Sequence, residues 1–282
     1  MKEKFKTGLF LFPALFIYII VVVFPTVYSL FLSFCDWNGL GAKKFVGLKN
    51  YIQLFTSDSV FYTALRNNII WIILTICLTV LLALLLALVL NRSFRGRIVY
   101  FPYMLSWIIV GIIWKWMYNP NFGLINQVLG MVGLDSLKGA YLSNTKMALY
   151  CVFIAALWQG LGQPMLYFLA GLQTLPNDIL EAAKIDGAGK FNLFFRVIVP
   201  MLKETFVIVL ATQIIASMKV YDIVYVMTDG GPANSTQTLA TYMYNQTFTY
   251  SNLGVGSAIA TVMVLIMMVV IVPYVAFSTK DE

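Results

Sequence analysis

The chain has 282 residues, of which 60% are hydrophobic and 11% charged, and its mean hydropathy is +0.83. A soluble domain carries about 25% charged residues, so this chain lacks the polar exterior that a soluble fold of its length needs and reads as an integral membrane protein. The net charge of +7 is read as a topology signal rather than a nucleic-acid footprint, and the absence of histidine excludes a histidine triad, a histidine metal site and a histidine proton relay.

The N-terminal MKEKFK precedes the apolar run TGLFLFPALFIYIIVVVFPTVYSLFLSF. That run exceeds the about 7–15 residues of a signal-peptide core and lacks an A-x-A cleavage site, so it is expected to be a retained first transmembrane helix. A bilayer core needs about 20 apolar helical residues. Six segments qualify, roughly 9–34, 68–90, 98–118, 147–170, 205–227 and 255–278. The expected fold class is therefore all-α integral membrane, with residues 1–65 forming a first helix plus an outer segment and residues 66–278 a transmembrane core. In the outer segment FVGLKNYIQLF (45–55), Leu48, Tyr51, Ile52 and Phe55 follow i, i+3, i+4, i+7 spacing, which predicts an amphipathic helix at the interface. The second span, IIWIILTICLTVLLALLLALVL, is apolar throughout and is expected to face lipid.

Orientation follows from the basic residues. With both termini cytoplasmic, eleven lie inside (Lys2, Lys4, Lys6, Arg92, Arg95, Arg97, Lys184, Lys190, Arg196, Lys203, Lys280) and six outside (Lys43, Lys44, Lys49, Arg66, Lys138, Lys146). The short loop NRSFRGR (91–97) is basic, and 228–252 has no Lys or Arg. The third span carries Tyr103, Trp107, Trp114 and Lys115; Trp114, Trp116 and Tyr118 are read as interfacial belt residues and Lys115 as snorkelling. The fourth contains WQGLGQP (158–164), whose glycines and proline predict a locally broken helix.

Between the fourth and fifth spans stands LPNDILEAAKIDGAGKFNLFFRVIVP (175–200). Asn177 is a candidate N-cap after Pro176, Asp178 and Glu181 suit a first turn, and Gly187 and Gly189 stop the helix before a second one that Pro200 bends. Its small residues permit close approach and its Ile179, Phe191 and Phe194 invite it, so it reads as a docking element rather than a solvated connector. GAGK (187–190) is not a phosphate loop, since Phe191 stands where Ser or Thr belongs. Glu181 and Asp186 diverge on the helix, so no catalytic residue and no metal site are expected. In the fifth span Gln213 and Ser217 share a face at i, i+4, while Lys219 and Asp222, at i, i+3, are placed to neutralise each other. TDGGPANSTQ (228–237) reads as a turn-rich loop. Asn234 and Asn245 begin glycosylation-like triplets of little weight. Cys35, Cys77 and Cys151 are isolated and read as packing residues.

EAAKIDGAGKFNLFFRVIVP resembles the EAA loop of binding-protein-dependent ABC importer permeases. FVGLKNYIQLF, FPYMLSW, WKWMYNPNFGLIN, LAGLQTLP and VYDIVYVMTDGGPANSTQTLATYMYNQTF resemble the MalF-like sugar branch, in the family's order over most of the chain. The resemblance implies six transmembrane helices, N-in/C-in, with a cytoplasmic coupling helix (loop about 173–203) between helices four and five. By motif position Glu181, Ala182, Ala183, Asp186, Gly187 and Ala188 form its contact with a separate ATPase, although GKFN replaces the Ser-rich turn common in the family. It further implies a sugar cavity with Tyr103, Trp107, Gly160, Gln163, Gln213 and Ser217, in which amides bond hydroxyls and aromatic rings pack apolar sugar faces. The implied partners are a second homologous permease, two ATPase subunits that bind ATP and Mg, an extracellular binding protein, a sugar and the lipid bilayer of a prokaryotic cytoplasmic membrane. No cofactor in this chain and no nucleic acid are expected. The competing reading is a stand-alone secondary transporter or channel, which needs an ion-coupling constellation or internal repeat that the sequence does not display; a polytopic membrane enzyme ranks third.

Overall fold

A computed structural model of the chain describes residues 11–91 and 100–278. Lys2, Lys4, Lys6, Arg92, Arg95, Arg97 and Lys280, which carry much of the orientation reading, lie outside the described residues. The chain is mostly helical. It packs as two units, one built from the chain up to Phe61 with Tyr242–Leu265, the other from Tyr62–Thr241 with the chain from Ile266 on.

In the first unit, α1 (Leu11–Leu32) is apolar and almost wholly exposed within the subunit, as a lipid-facing helix must be. A minimal antiparallel pair, β1 (Cys35–Asp36) with β2 (Lys44–Phe45), follows. It is tied to α2 (Lys49–Thr56) by the buried Asn50, whose Nδ2 donates to Ser33 O and Cys35 O, both at 2.9 Å. The predicted amphipathic helix thus forms, but it grips the protein through Asn50 and Leu54; Leu48, Ile52 and Phe55 point outward. Asp58 caps the next helix, its Oδ1 accepting from Phe61 N at 2.8 Å, and its Oδ2 accepts from Tyr242 Oη at 2.6 Å. Burial, and then the Asp58 carboxylate, raise the Tyr242 pKa, so the phenol remains the donor.

That cap starts α3 (Ser59–Leu90), a 32-residue helix that begins nine residues before the second predicted span. In the second unit it does not simply face lipid. Val80, Ala83, Leu84 and Ala87 are buried against Met165, Phe168, Leu172, Leu202 and Val209. Alanine lets helices approach closely, so one side of an apolar helix packs on protein even where its composition suits lipid all round.

Within the third predicted segment, the regular helix starts only at Trp107. A tight turn over Phe101–Met104 leads to Ser106, whose hydroxyl accepts from Ile109 N at 3.3 Å and caps α4 (Trp107–Met117). Short helix α5 (Leu124–Met131) follows. The fourth predicted segment is two helices, α6 (Ala148–Gly160) and α7 (Gly162–Thr174), parted at Leu161. Pro164 has no N–H for the Gly160 carbonyl, which accounts for the predicted break at WQGLGQP. Then come α8 (Asn177–Ile185), α9 (190–201), α10 (Lys203–Met218), α11 (Asp222–Thr228), α12 (Leu239–Tyr244) and α13 (Leu253–Ser278). α1, α3 and α13 are each long and apolar enough to cross a membrane.

The belt reading fails at Tyr118. It is 6% exposed and lies among Leu149, Cys151 and Val152, while Trp116 is exposed and Trp114 packs edge-on against Trp158. An aromatic near a helix end goes to the interface only when no neighbouring helix covers it, and α6 covers Tyr118. Lys115 reaches the Val226 carbonyl of α11 at 3.4 Å.

Candidate functional site

α10 and α11 are not one straight helix. α10 ends at Met218, Lys219 (φ −99°, ψ 9°) and Tyr221 (φ −132°, ψ −64°) leave helical geometry, and α11 restarts at an inclination of 41°. Lys219 and Asp222 therefore lose their helical i, i+3 relation. They form no ion pair; Lys138–Asp135 at 2.5 Å is the pair seen among the described residues. Both charges instead stand at the edge of a cavity of about 270 Å³.

Helices α3, α4, α6, α7, α10 and α11 build its wall, together with the turn before α4. α3 supplies Trp71, Thr75 and Thr79, spaced by four on one face. The turn before α4 supplies Tyr103, and the first residue of α4 is Trp107. Tyr103 is held close by a glycine, since a Cβ at Gly162 would stand 2.5 Å from the Tyr103 Cβ. The α6–α7 break contributes Gly160 and Gln163, and α10 contributes Gln213 and Ser217. All six residues singled out from the sequence as cavity residues thus stand around one space, with Phe153, Tyr221 and the two charges beside them.

The polar groups differ in how far the protein satisfies them. Ser217 Oγ donates to Gln213 O at 2.8 Å and lies 3.2 Å from Thr75 Oγ1. Gln163 Nε2 donates to Tyr167 Oη at 3.2 Å. Gln213 is 7% exposed, and its amide has no hydrogen-bond partner among the described residues. Gln213 is not among the fully enclosed polar groups that lack a partner, so its amide opens to the cavity and is free to bond a polar solute there. Gln159, from the same WQGLGQP stretch, turns away from the cavity and donates to Leu105 O at 3.1 Å.

The second group of singled-out residues occupies α8 and the turn after it. α8 begins at Asn177, with Pro176 in the extended cap position, one residue earlier than the sequence suggested. It ends in a Schellman turn: Gly187 has φ +79°, Ala188 N donates to Ala183 O at 3.0 Å, and Gly187 N donates to Lys184 O at 3.1 Å. Glu181, Ala182, Asp186 and Gly187 are exposed, and Ala183 and Ala188 half-buried. Around them Ile179, Ile185, Phe191 and Phe195 also lie open, Ile185 at 85% and Phe191 at 79%. Phe194 is turned inward, so its place in the apolar surface is taken by Ile185 and Phe195.

The described residues hold no cluster of metal-ligating side chains. Residues 8–279 match the family described as binding-protein-dependent transport system inner membrane component. The chain belongs to this family. As an inner membrane component of such a system it is a transport subunit, an ABC transporter permease, and not an enzyme. It is 39% identical over 280 residues to a probable ABC transporter permease protein of Pyrococcus horikoshii, covering 97% of this chain and 96% of the other. It is 34% identical over 290 residues to the sulfoquinovosyl glycerol transport system permease protein of Agrobacterium fabrum, covering 100% and 93%. The multiple sugar-binding transport system permease protein of Streptococcus mutans is 31% identical over 286 residues, with 99% and 97% covered. The fold matches a chain in the crystal structure of a bacterial ABC transporter involved in the import of the acidic polysaccharide alginate, with TM-score 0.85 at 19% identity and 99% and 96% coverage.

Within this permease, sequence reasoning missed the α3 contribution to the cavity. The signal was present as Trp71, Thr75 and Thr79 at four-residue spacing inside an otherwise Leu- and Ile-rich run. It also missed how the loop after α11 is held. That loop is a polar knot rather than a solvated turn: Thr236, Gln237, Thr238 and Thr241 are buried. Asn67 Nδ2 donates to Ser235 O and Gln237 O, both at 2.8 Å. Asn67→Ala leaves two carbonyls without their donor and is expected to lower stability by about 2–4 kcal/mol. Thermal unfolding of the detergent-solubilised subunit checks this, and an unchanged midpoint contradicts the anchoring role.

Proposed function

We propose that this permease lines half of the passage of an ATP-driven carbohydrate importer. The solute, an oligosaccharide or related sugar, is handed over by an extracellular binding protein. The observation that carries the reading is the cavity: unsatisfied and hydroxyl-bearing polar groups (Gln213, Gln163, Ser217, Thr75) face a space walled by Trp71, Trp107, Tyr103 and Phe153. Amides complete sugar hydroxyls, and flat rings cover the apolar faces of pyranoses. The names of the Agrobacterium and Streptococcus relatives support a sugar.

In this reading the chain crosses the bilayer six times with both termini in the cytoplasm, using α1, α3, α4 with its preceding turn, α6–α7, α10–α11 and α13. α8 then lies in the cytoplasm as the coupling helix. Glu181, Ala182, Ala183, Asp186, Gly187 and Ala188, ringed by the exposed Ile179, Ile185, Phe191 and Phe195, enter a cleft of a separate ATPase. ATP and Mg bind there, not in this chain. Closure of the ATPase pair moves α8 and turns the cavity from inward-open to outward-open. The complete importer contains a second, homologous permease and two ATPases in a prokaryotic cytoplasmic membrane, and its small half-cavity is completed by that second permease.

Two measurements test this. The cognate binding protein is titrated by calorimetry against a panel of neutral and acidic mono- and oligosaccharides; retention of none of them removes the carbohydrate reading. The permease is purified with its neighbours; transport by a preparation without an ATPase removes the ATP-driven reading and restores the stand-alone transporter.

A further inference from the structure

The break between α10 and α11 leaves backbone carbonyls that no helix satisfies. Two side chains from distant elements take them. Asn68 Nδ2 on α3 donates to Ser217 O at 2.9 Å, and Thr238 Oγ1 donates to Val220 O at 2.8 Å. Both donors are fully enclosed, Asn68 at 1% and Thr238 at 0% exposure. The other end of the Asn68 amide accepts from Leu239 N at 2.7 Å, so one side chain ties α3, the last turn of α10 and the start of α12 together. Neither residue lines the cavity, but Ser217, Lys219, Val220, Tyr221, Asp222 and Ile223, which they brace, all do.

Irregular backbone inside a membrane protein persists only where its polar groups find partners, and here the partners are side chains rather than water. KVYD contains neither glycine nor proline, so nothing local in the sequence enforces the break. We propose that Asn68 and Thr238 are positioning residues: they hold the α10–α11 break in its bent form and thereby fix the cavity wall on which Lys219, Tyr221 and Asp222 stand. Its importance for transport rests on the reading of this cavity as the solute site, but its geometry is tested without any solute.

The test uses Ile223→Cys, a cavity-lining position that is 1% exposed, in the assembled importer in proteoliposomes. The probe is the water-soluble thiol reagent 2-(trimethylammonium)ethyl methanethiosulfonate, with labelling at each cysteine followed by peptide-resolved mass spectrometry. The native Cys151, 5% exposed in the same apolar cluster as Ile223, is the internal control. Thr238→Val removes the hydroxyl and keeps the shape. With the bond to Val220 O it also loses the longer one that Thr238 Oγ1 accepts from Thr241 N at 3.3 Å. It is expected to speed labelling at position 223 at least about tenfold, the scale of the lost bond to the buried Val220 carbonyl. Labelling of Cys151 stays as it was. Thr238→Ser, which restores the hydroxyl, returns the slow rate. Asn68→Asp keeps the acceptor for Leu239 N but loses the donor to Ser217 O, and gives a second acceleration should Thr238→Val fail to assemble. Unchanged labelling in both variants overturns the proposal. So does equal acceleration at Cys151, which marks general unfolding, and so does failure of Thr238→Ser to restore the slow rate. Loss of the solute-site reading shows separately, as unchanged sugar uptake by Gln213→Ala.

Discussion

Gly187→Val is expected to leave a folded, membrane-inserted permease that no longer transports. Gly187 sits at φ +79°, where a β-branched residue is strained by about 1–3 kcal/mol. An added Cβ there meets nothing within 4 Å, so the substitution causes no clash and disturbs no core. Its whole effect falls on the turn. Relief of the strain moves residue 187 out of the left-handed region and breaks the bonds from Ala188 N to Ala183 O and from Gly187 N to Lys184 O. Those two bonds set the direction in which the chain leaves α8, and with it where Phe191 and Phe195 stand relative to Glu181 and Ala182. A docking surface built from one short helix and the residues after its stop depends on that direction. A loss of about 2 kcal/mol at such a surface corresponds to about thirtyfold weaker docking. Sugar uptake and ATP hydrolysis in proteoliposomes measure it, and Gly187→Asn, which tolerates the left-handed region, is expected to retain most activity. Uptake by Gly187→Val at the parental rate ends the assignment of this turn to coupling.

The same turn shows what the sequence makes legible. Proline, a first-turn aspartate, a run of helix formers and a glycine stop are local chemistry, and local chemistry can be read from neighbours in the chain. The reading missed by one residue only because Pro176 itself takes the cap position. The six cavity residues were legible as a set through the resemblance to the sugar-permease branch, and Gly160, Gln163 and Gln213 also because an amide or a glycine inside an apolar helix is expensive or weak there and its presence asks for a purpose. Thr75 and Thr79 escaped because threonine scores as nearly neutral when hydropathy is averaged over a span. Trp71 escaped because tryptophan suits lipid boundaries as well as cavities.

What lay beyond the sequence are features decided by partners far away in it. The α10–α11 break is satisfied from Asn68, 149 residues before its acceptor, and from Thr238, 18 residues after its own. No window around KVYD contains that information. Lys219 and Asp222 were paired on the assumption of a continuous helix, and the break removes the pairing. Tyr118 was assigned to a membrane interface, but whether an aromatic near a helix end meets headgroups or another helix depends on where α6 runs. In each case the local preference was compatible with two outcomes, and long-range packing chose between them.

The sharpest separation of function from stability is expected at Gln213. For most buried polar residues, truncation lowers stability and activity together, because the side chain bonds to its own protein. Gln213 is buried, faces the cavity and has no partner for its amide among the described residues. Gln213→Ala therefore removes an amide that bonds nothing among the described residues and opens to the cavity, and thermal stability in detergent is expected to stay level. Transport does not. If the amide completes a sugar hydroxyl, its loss costs about 1–3 kcal/mol of binding, which raises the KM for uptake about 5- to 150-fold. Ser217→Ala provides the comparison. Its hydroxyl is already committed to Gln213 O and lies beside Thr75, so a smaller change in KM and a measurable loss of stability are expected. Binding of the sugar to the extracellular protein is unaffected in both, since that event precedes the permease. The opposite pattern, a less stable Gln213→Ala subunit that transports with the parental KM, means that this amide serves the fold and that the solute passes elsewhere.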